Sequence, residues 1–300
     1  MIILNEREYI EQIIKQQGAI ENVVHVAHKL AKYYWQDEDS ATVVYNKVIE
    51  FLKSRNPYFN EVKYSKLIKA AVKKQKGKMI IEIPFIPITQ YELDMINSIC
   101  CENVKITKGA QRVAFTLLCL AKYNNMIYPT NSNWVSNSHT EIFSLANLRC
   151  NTTEKYTMIN LILKLGLIDM PRKLTNNSFN VKFVDNVGAP VLEIDDFRSL
   201  GNQYLAYLGF NYGACIYCGE YIMAHKGKQL VCTACKKDPP YMYKFITCKE
   251  CGCEVKVKRI VKKQEYCPEC YKKHRRLQQC LNKRIERERR MSTVLTDTII

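Results

Sequence analysis

No stretch of this 300-residue chain is apolar for long enough to cross a bilayer. The N-terminus, Met1-Ile2-Ile3-Leu4-Asn5-Glu6-Arg7-Glu8, turns charged after four residues and lacks the apolar core and cleavage site of a secretory signal. A cytoplasmic location without a membrane partner is expected. Catalytic signatures are missing too. There is no GxxxxGK(S/T) loop to cradle nucleotide phosphates and no HExxH. The pair His25 and His28 sits at helical spacing and reads as helix surface, and Asp37-Glu38-Asp39 reads as a solvated loop between two helices. The chain is therefore not expected to be an enzyme. Acid is in short supply, with 29 Asp and Glu against 45 Lys and Arg, a net +16. Before residue 215 cysteine is sparse: Cys100, Cys101, Cys119 and Cys150 have no partner at ligand spacing, and Cys119 and Cys150 read as small core groups.

The last third is different. Cys215/Cys218, Cys232/Cys235, Cys248/Cys251 and Cys267/Cys270 form four CxxC pairs. Each pair brings two thiolates to one side of a tight turn, and two such turns close a tetrahedron around a soft divalent ion. Gly219 and Gly252 follow the second ligand of a pair, where the backbone needs a positive φ. The pattern resembles a tandem zinc ribbon, which implies two structural Zn2+ ions with all four positions filled by protein. Disulfides would need an oxidising compartment. The Cys267-Pro268-Glu269-Cys270 pair is also similar to rubredoxin, which holds iron, but an electron partner for a redox centre is not evident. Cys253, His225, His274 and Cys280 are read as bystanders. Few apolar residues lie between Cys215 and Cys270, so metal ligation should supply most of the folding free energy there.

The cysteine-rich region is also the basic one. From Cys215 to Arg290 there are 20 Lys and Arg against 8 Asp and Glu, a net +12, which leaves +4 for the rest of the chain. Two zinc tetrathiolates would lower the segment to +8 and the chain to +12, both still basic. Such a field attracts polyanions, and nucleic acid is the natural partner. Residues 254–263 alternate apolar and basic as a half-buried hairpin would, which places Lys256, Lys258, Arg259, Lys262 and Lys263 on a basic strip. Lys272, Lys273, Arg275, Arg276, Lys283 and Arg284 follow in a run of helix formers in which Leu277, Leu281 and Ile285 recur every four residues. A basic C-terminal helix is expected.

The middle block reads as a winged helix. Val113, Leu117, Leu120 and Ala121 share one face of a helix. Ser138-His139-Thr140-Glu141 and Asn151-Thr152-Thr153-Glu154 are capping boxes for two more, with about three residues between them, and Gly166 ends the second. Residues 167–170 and 179–184 supply a hairpin. Resemblance to winged-helix proteins implies that the second helix enters a groove and the hairpin touches phosphate. That assigns Thr152, Thr153, Lys155, Tyr156, Asn160 and Lys164 to the helix and Arg172, Lys173, Asn176, Asn177 and Lys182 to the wing. Two lysines and no arginine are few for base readout, so protein docking stays open as an alternative.

The N-terminal block is helical, with Val24, Ala27, Ala31 and Tyr34 on one stripe and Val44, Val48, Phe51 and Leu52 on another. Leu30-Ala31-Lys32-Tyr33-Tyr34, Ser40, Val44, Ile49, Phe51, Asn56-Pro57, Val62 and Leu67-Ile68 resemble the small primase C-terminal module of phage and plasmid primase-helicase proteins, which implies replication of a mobile element. The expected architecture is mainly α with small β: a helical module (1–83), a winged helix (84–188), a connector (189–213), tandem zinc ribbons (214–271) and a basic helix or tail (272–300). The expected function is nucleic-acid binding, with DNA preferred over RNA, in a replication accessory or regulatory factor of a phage or mobile element. The alternatives are a transcription regulator and an adaptor docking on a polymerase, primase or helicase.

Overall fold

Capping side chains set where most of the helices begin, and buried apolar stripes decide which face turns inward. The computed structural model describes residues 2–15, 20, 22–55, 59–171, 178–225, 227–237, 243–258 and 265–297, with backbone alone at 243, 244, 256, 258 and 286–297. The chain is mainly helical with small antiparallel sheets. It divides into two units, residues 1–9 with 81–239 and residues 10–80 with 240–300. No helix among the described residues is long and apolar enough to cross a membrane.

Helix α1 (Glu6–Lys15) is followed by α2 (Val23–Tyr34), α3 (Ala41–Arg55) and α4 (Glu61–Gln75). The side chains of Asn22 and Asn60 accept the amides of His25 and Lys63, satisfying N-terminal donors of α2 and α4. Their interior is built from Val26, Ala27, Leu30 and Ala31 of α2, Val44, Val48, Ile49 and Leu52 of α3, and Ile68, Ala71 and Val72 of α4. The expected stripe on α2 is thus shifted: Val26 and Leu30 are buried where Val24 and Tyr34 are only half-buried. Trp35 donates its indole N–H to Val72 O at 2.8 Å, tying the end of α2 to α4.

In the other unit, β1 (Ile86–Thr89) leads into α5 (Gln90–Asn97), the long α6 (Val104–Ile127), β2 (Trp134–Val135), α7 (His139–Leu145), α8 (Thr152–Lys164), β3 (Ile168–Asp169) and β4 (Phe179–Val181). Strands β2, β4 and β3 form an antiparallel sheet in that order. Helix, strand, two helices and a returning hairpin give the winged-helix connectivity. Asn151 and Glu154 cap α8 reciprocally, whereas at α7 Ser138 accepts the Glu141 amide. The turn between α7 and α8 is longer than expected, residues 146–151, and passes through Asn147 at φ 53°. Gly109 of α6 lets α8 approach: a Cβ there would lie 2.4 Å from Met158 Cε.

The segment expected as a connector carries β5 (Pro190–Ile194) and α9 (Leu200–Tyr207). Strand β5 pairs antiparallel with β1, and Phe197, Leu200 and Tyr204 are buried in the same core as α6, where Tyr204 stacks on Phe115 at 5.0 Å. Leu4 and Ile83 join that core through the Asn5–Glu82 bridge. Its one deeply buried ion pair among the described residues is Lys122–Glu92, 2.7 Å. Glu92 also accepts the amides of Thr89 and Asp185, both at 2.8 Å, and Lys122 donates to Pro87 O at 2.6 Å. The pair therefore satisfies its own charges and fastens β1, α5, α6 and the approach to β5 together.

Helix α9 also runs into the first cysteine region, which comprises β6 (Tyr212–Ala214), β7 (Tyr221–Met223) and α10 (Thr233–Lys237). Gly201 sits against the turn between α7 and α8 so closely that a Cβ would fall 2.1 Å from Ala146 O. From the same stretch Arg198 Nη2 donates to Cys218 O at 2.6 Å and Asn202 Nδ2 to Tyr221 O at 2.8 Å. The second cysteine region comprises β8 (Tyr243–Thr247), β9 (Glu254–Lys258) and α11 (Pro268–Asp297). Strand β9 pairs antiparallel with β8, across the turn that holds Cys248 and Cys251, while residues 259–263 of the hairpin expected over 254–263 lie outside the described residues.

Candidate metal centres

The two cysteine regions are built on one plan. In each, a CxxCG turn joins two antiparallel strands. Cys215 donates its amide to Glu220 O at 2.8 Å and Gly219 donates to Cys215 O at 2.9 Å; Cys248 N to Cys253 O (2.8 Å) and Gly252 N to Cys248 O (2.9 Å) repeat the pattern. Gly219 and Gly252 take φ of 78° and 70°, the left-handed conformation that spares glycine a steric cost. The second CxxC of each region begins a helix. The amides of Cys235 and Cys270 donate to the sulfurs of Cys232 and Cys267 at 3.3 and 3.4 Å, so these sulfurs act as N-caps of α10 and α11 and lie at the positive end of the helix dipole.

The thiols of Cys215, Cys218, Cys232 and Cys235 all lie within 4.8 Å of one another, with Cys218 and Cys232 sulfurs 3.7 Å apart. Burial opposes ionisation of Cys215, but the N–H groups of Cys232, Tyr217 and Cys218 prevail and hold its thiol down to about 6. Cys248 is brought to about 6 in the same way, against its burial, by the N–H groups of Cys267, Cys251 and Glu250. Burial and the neighbouring sulfurs push Cys235 and Cys267 upward. One thiolate at each centre is thus favoured by backbone donors, and further ionisation is opposed unless a cation stands between the sulfurs. A tetrahedral, thiolate-preferring divalent ion meets that requirement, and both clusters fit zinc.

The second centre differs in membership. Cys248, Cys251, Cys253 and Cys267 have thiols within 4.8 Å of one another, and Cys251 and Cys253 sulfurs are 3.1 Å apart. Cys270 is fully buried at the same place. Cys253, read from spacing as a bystander, belongs to the cluster, which holds five cysteines for a four-coordinate ion. Around them the apolar packing is slight: Val255 and Val257 are buried and Ile246 and Tyr266 partly so. Lys273 and His274 of α11 both reach Glu250 at 2.9 Å, bracing the helix against the turn.

The expected nucleic-acid contacts fall in both units. On α8, Thr152, Thr153, Tyr156, Asn160 and Lys164 are exposed, whereas Lys155 is half-buried with Nζ over the Phe143 ring at 5.5 Å. Lys182 is exposed and paired with Asp169 at 2.7 Å. Arg172, Lys173, Asn176 and Asn177 of the expected wing, and Arg259, Lys262 and Lys263 of the expected strip, lie outside the described residues; Lys256 and Lys258 are placed by the backbone of β9. On α11 every residue from 271 to 285 is exposed, including Lys272, Lys273, Arg275, Arg276, Lys283 and Arg284. Comparison with family models, with curated proteins and with solved structures finds no match to this chain.

Proposed function

We propose that this chain is a zinc-stabilised nucleic-acid-binding protein, with DNA the expected polymer, that serves as a non-catalytic cytoplasmic replication accessory or regulatory factor of a phage or mobile element. The observation that carries this reading is the coincidence of the metal centres with the basic charge. The net +12 between Cys215 and Arg290 is displayed in part on a helix exposed throughout 271–285. Zinc in each cluster holds structure, because protein fills all four positions. Contacts from α11 and the second hairpin supply backbone affinity that falls with salt, while the exposed face of α8 contributes what sequence preference there is. The primase-like spacing of residues 30–68 inclines the reading toward replication.

The adaptor reading is favoured by one observation. Leu277, Leu281 and Ile285 form an exposed apolar row on α11, which suits a protein surface better than a phosphate backbone. Fluorescence anisotropy of the zinc-loaded chain with duplex DNA, single-stranded DNA and RNA at about 50 and 200 mM salt separates the two. Binding that weakens steeply with salt is expected. No binding to any polymer would overturn the nucleic-acid reading in favour of the adaptor.

A further inference from the structure

The second hairpin has two unlike faces. Its register pairs Tyr243 with Lys258, Lys244 with Val257, Phe245 with Lys256, Ile246 with Val255 and Thr247 with Glu254. Alternation along a strand assigns Ile246, Val255 and Val257 to one face, and these pack with the cysteines. Tyr243, Phe245, Lys256 and Lys258 belong by register to the other. Phe245 is 53% exposed. Each aromatic position on this face stands directly opposite a lysine position.

From this register we infer that the outer face of β8 and β9 is a stacking platform for unpaired nucleic-acid bases, an inference that rests on the nucleic-acid reading above and narrows it to single strands. A base stacks on an aromatic ring whatever its identity, and a lysine position directly across the strand suits the adjoining phosphate. Tyr243 and Phe245, two residues apart, are separated by about 6.8 Å along the strand. Bases in a duplex are stacked at about 3.4 Å, which leaves no face free for either ring, whereas an unpaired strand can splay its bases to reach both. The charge of the surrounding region has the sign that a phosphate backbone requires.

The test uses the full zinc-loaded chain with fluorescent oligothymidine and oligouridine of about 15 nucleotides, beside a duplex of equal length. Phe245→Ala is expected to keep both metal ions and to weaken binding to the unpaired strands about 5- to 150-fold at unchanged salt slope. Lys256→Ala is expected to lower the slope by about 0.7, the share of one phosphate on a single strand. Phe245→Leu keeps the apolar bulk without the ring and should weaken binding as much as Phe245→Ala, so the result does not depend on the smaller side chain being tolerated. The relative weakening on oligothymidine and oligouridine identifies DNA or RNA as the source of the bases. Binding indifferent to both Phe245 variants, or weakened equally on duplex, would overturn the platform and leave the nucleic-acid reading standing. Wild-type failure to bind any polymer would overturn both.

Discussion

If each cluster takes one tetrahedral ion, the five cysteines gathered at the second, against four at the first, should make the two respond differently to the same substitution. At the first, Cys215, Cys218, Cys232 and Cys235 leave nothing in reserve. Cys218→Ser leaves three thiolates, and bound zinc should fall from two to about one per chain, with loss of order in the turn it joins. At the second, Cys253→Ser or Cys270→Ser still leaves four thiols, so each variant should retain both ions, while the double variant should lose one. The apolar contribution cannot mask the effect. Full burial of Val255 and Val257 stabilises by roughly 3–6 kcal/mol in all, against about 10–16 kcal/mol for a structural zinc. Native mass spectrometry counts the ions directly, and a colorimetric chelator gives the rate at which they leave. Loss of an ion from Cys253→Ser alone would refute the redundancy. Two ions retained by Cys218→Ser would refute the four-thiolate assignment itself.

Lys122→Met should cost about 3–5 kcal/mol in urea unfolding, because it strands the fully buried Glu92 carboxylate; a change below about 1 kcal/mol would mean water reaches that carboxylate. Gly201→Ala should destabilise by about 1–3 kcal/mol through the clash with Ala146 O, read as a lowered Tm, and an unchanged Tm would show that α9 can shift. Deleting residues 272–297 removes the exposed cations of α11 and should flatten the salt dependence of binding, by about 0.7 on a single strand or about 0.9 on duplex DNA, for each phosphate the helix had neutralised. An unchanged slope would take α11 out of the interface. Chelation should abolish the structure of both cysteine regions while the far-ultraviolet signal of the helical core persists; a full disappearance of helicity would contradict the view that the core stands without metal.

What is legible in the sequence is local. The CxxC spacing locates both centres and the glycines that follow them, and the Asn151 and Glu154 pairing marks the start of α8. The alternation in 254–258 identifies a strand, but its partner cannot be read from it, because the pairing is set across the turn by the Cys248 to Cys253 hydrogen bond. Cys253 falls outside the CxxC rule because only one residue separates it from Cys251, although the Cys-Gly-Cys run is the available signal. Strand β5 and helix α9 read as a connector since β5 owes its place to β1, about a hundred residues away. The Lys122–Glu92 pair is invisible for a related reason. A lysine and a glutamate on two amphipathic helices look alike whether they face solvent or each other.

Helix α9 limits the freedom of what it joins. Through Gly201 it is seated on the turn before α8, and Arg198 and Asn202 bind the backbone of the first metal centre. A flexible tether would let the winged helix and that centre engage a partner one after the other, each at its own effective concentration. A splint removes that sequence of events. Any partner surface that α8 meets would find the first cysteine cluster beside it at an offset set by α9.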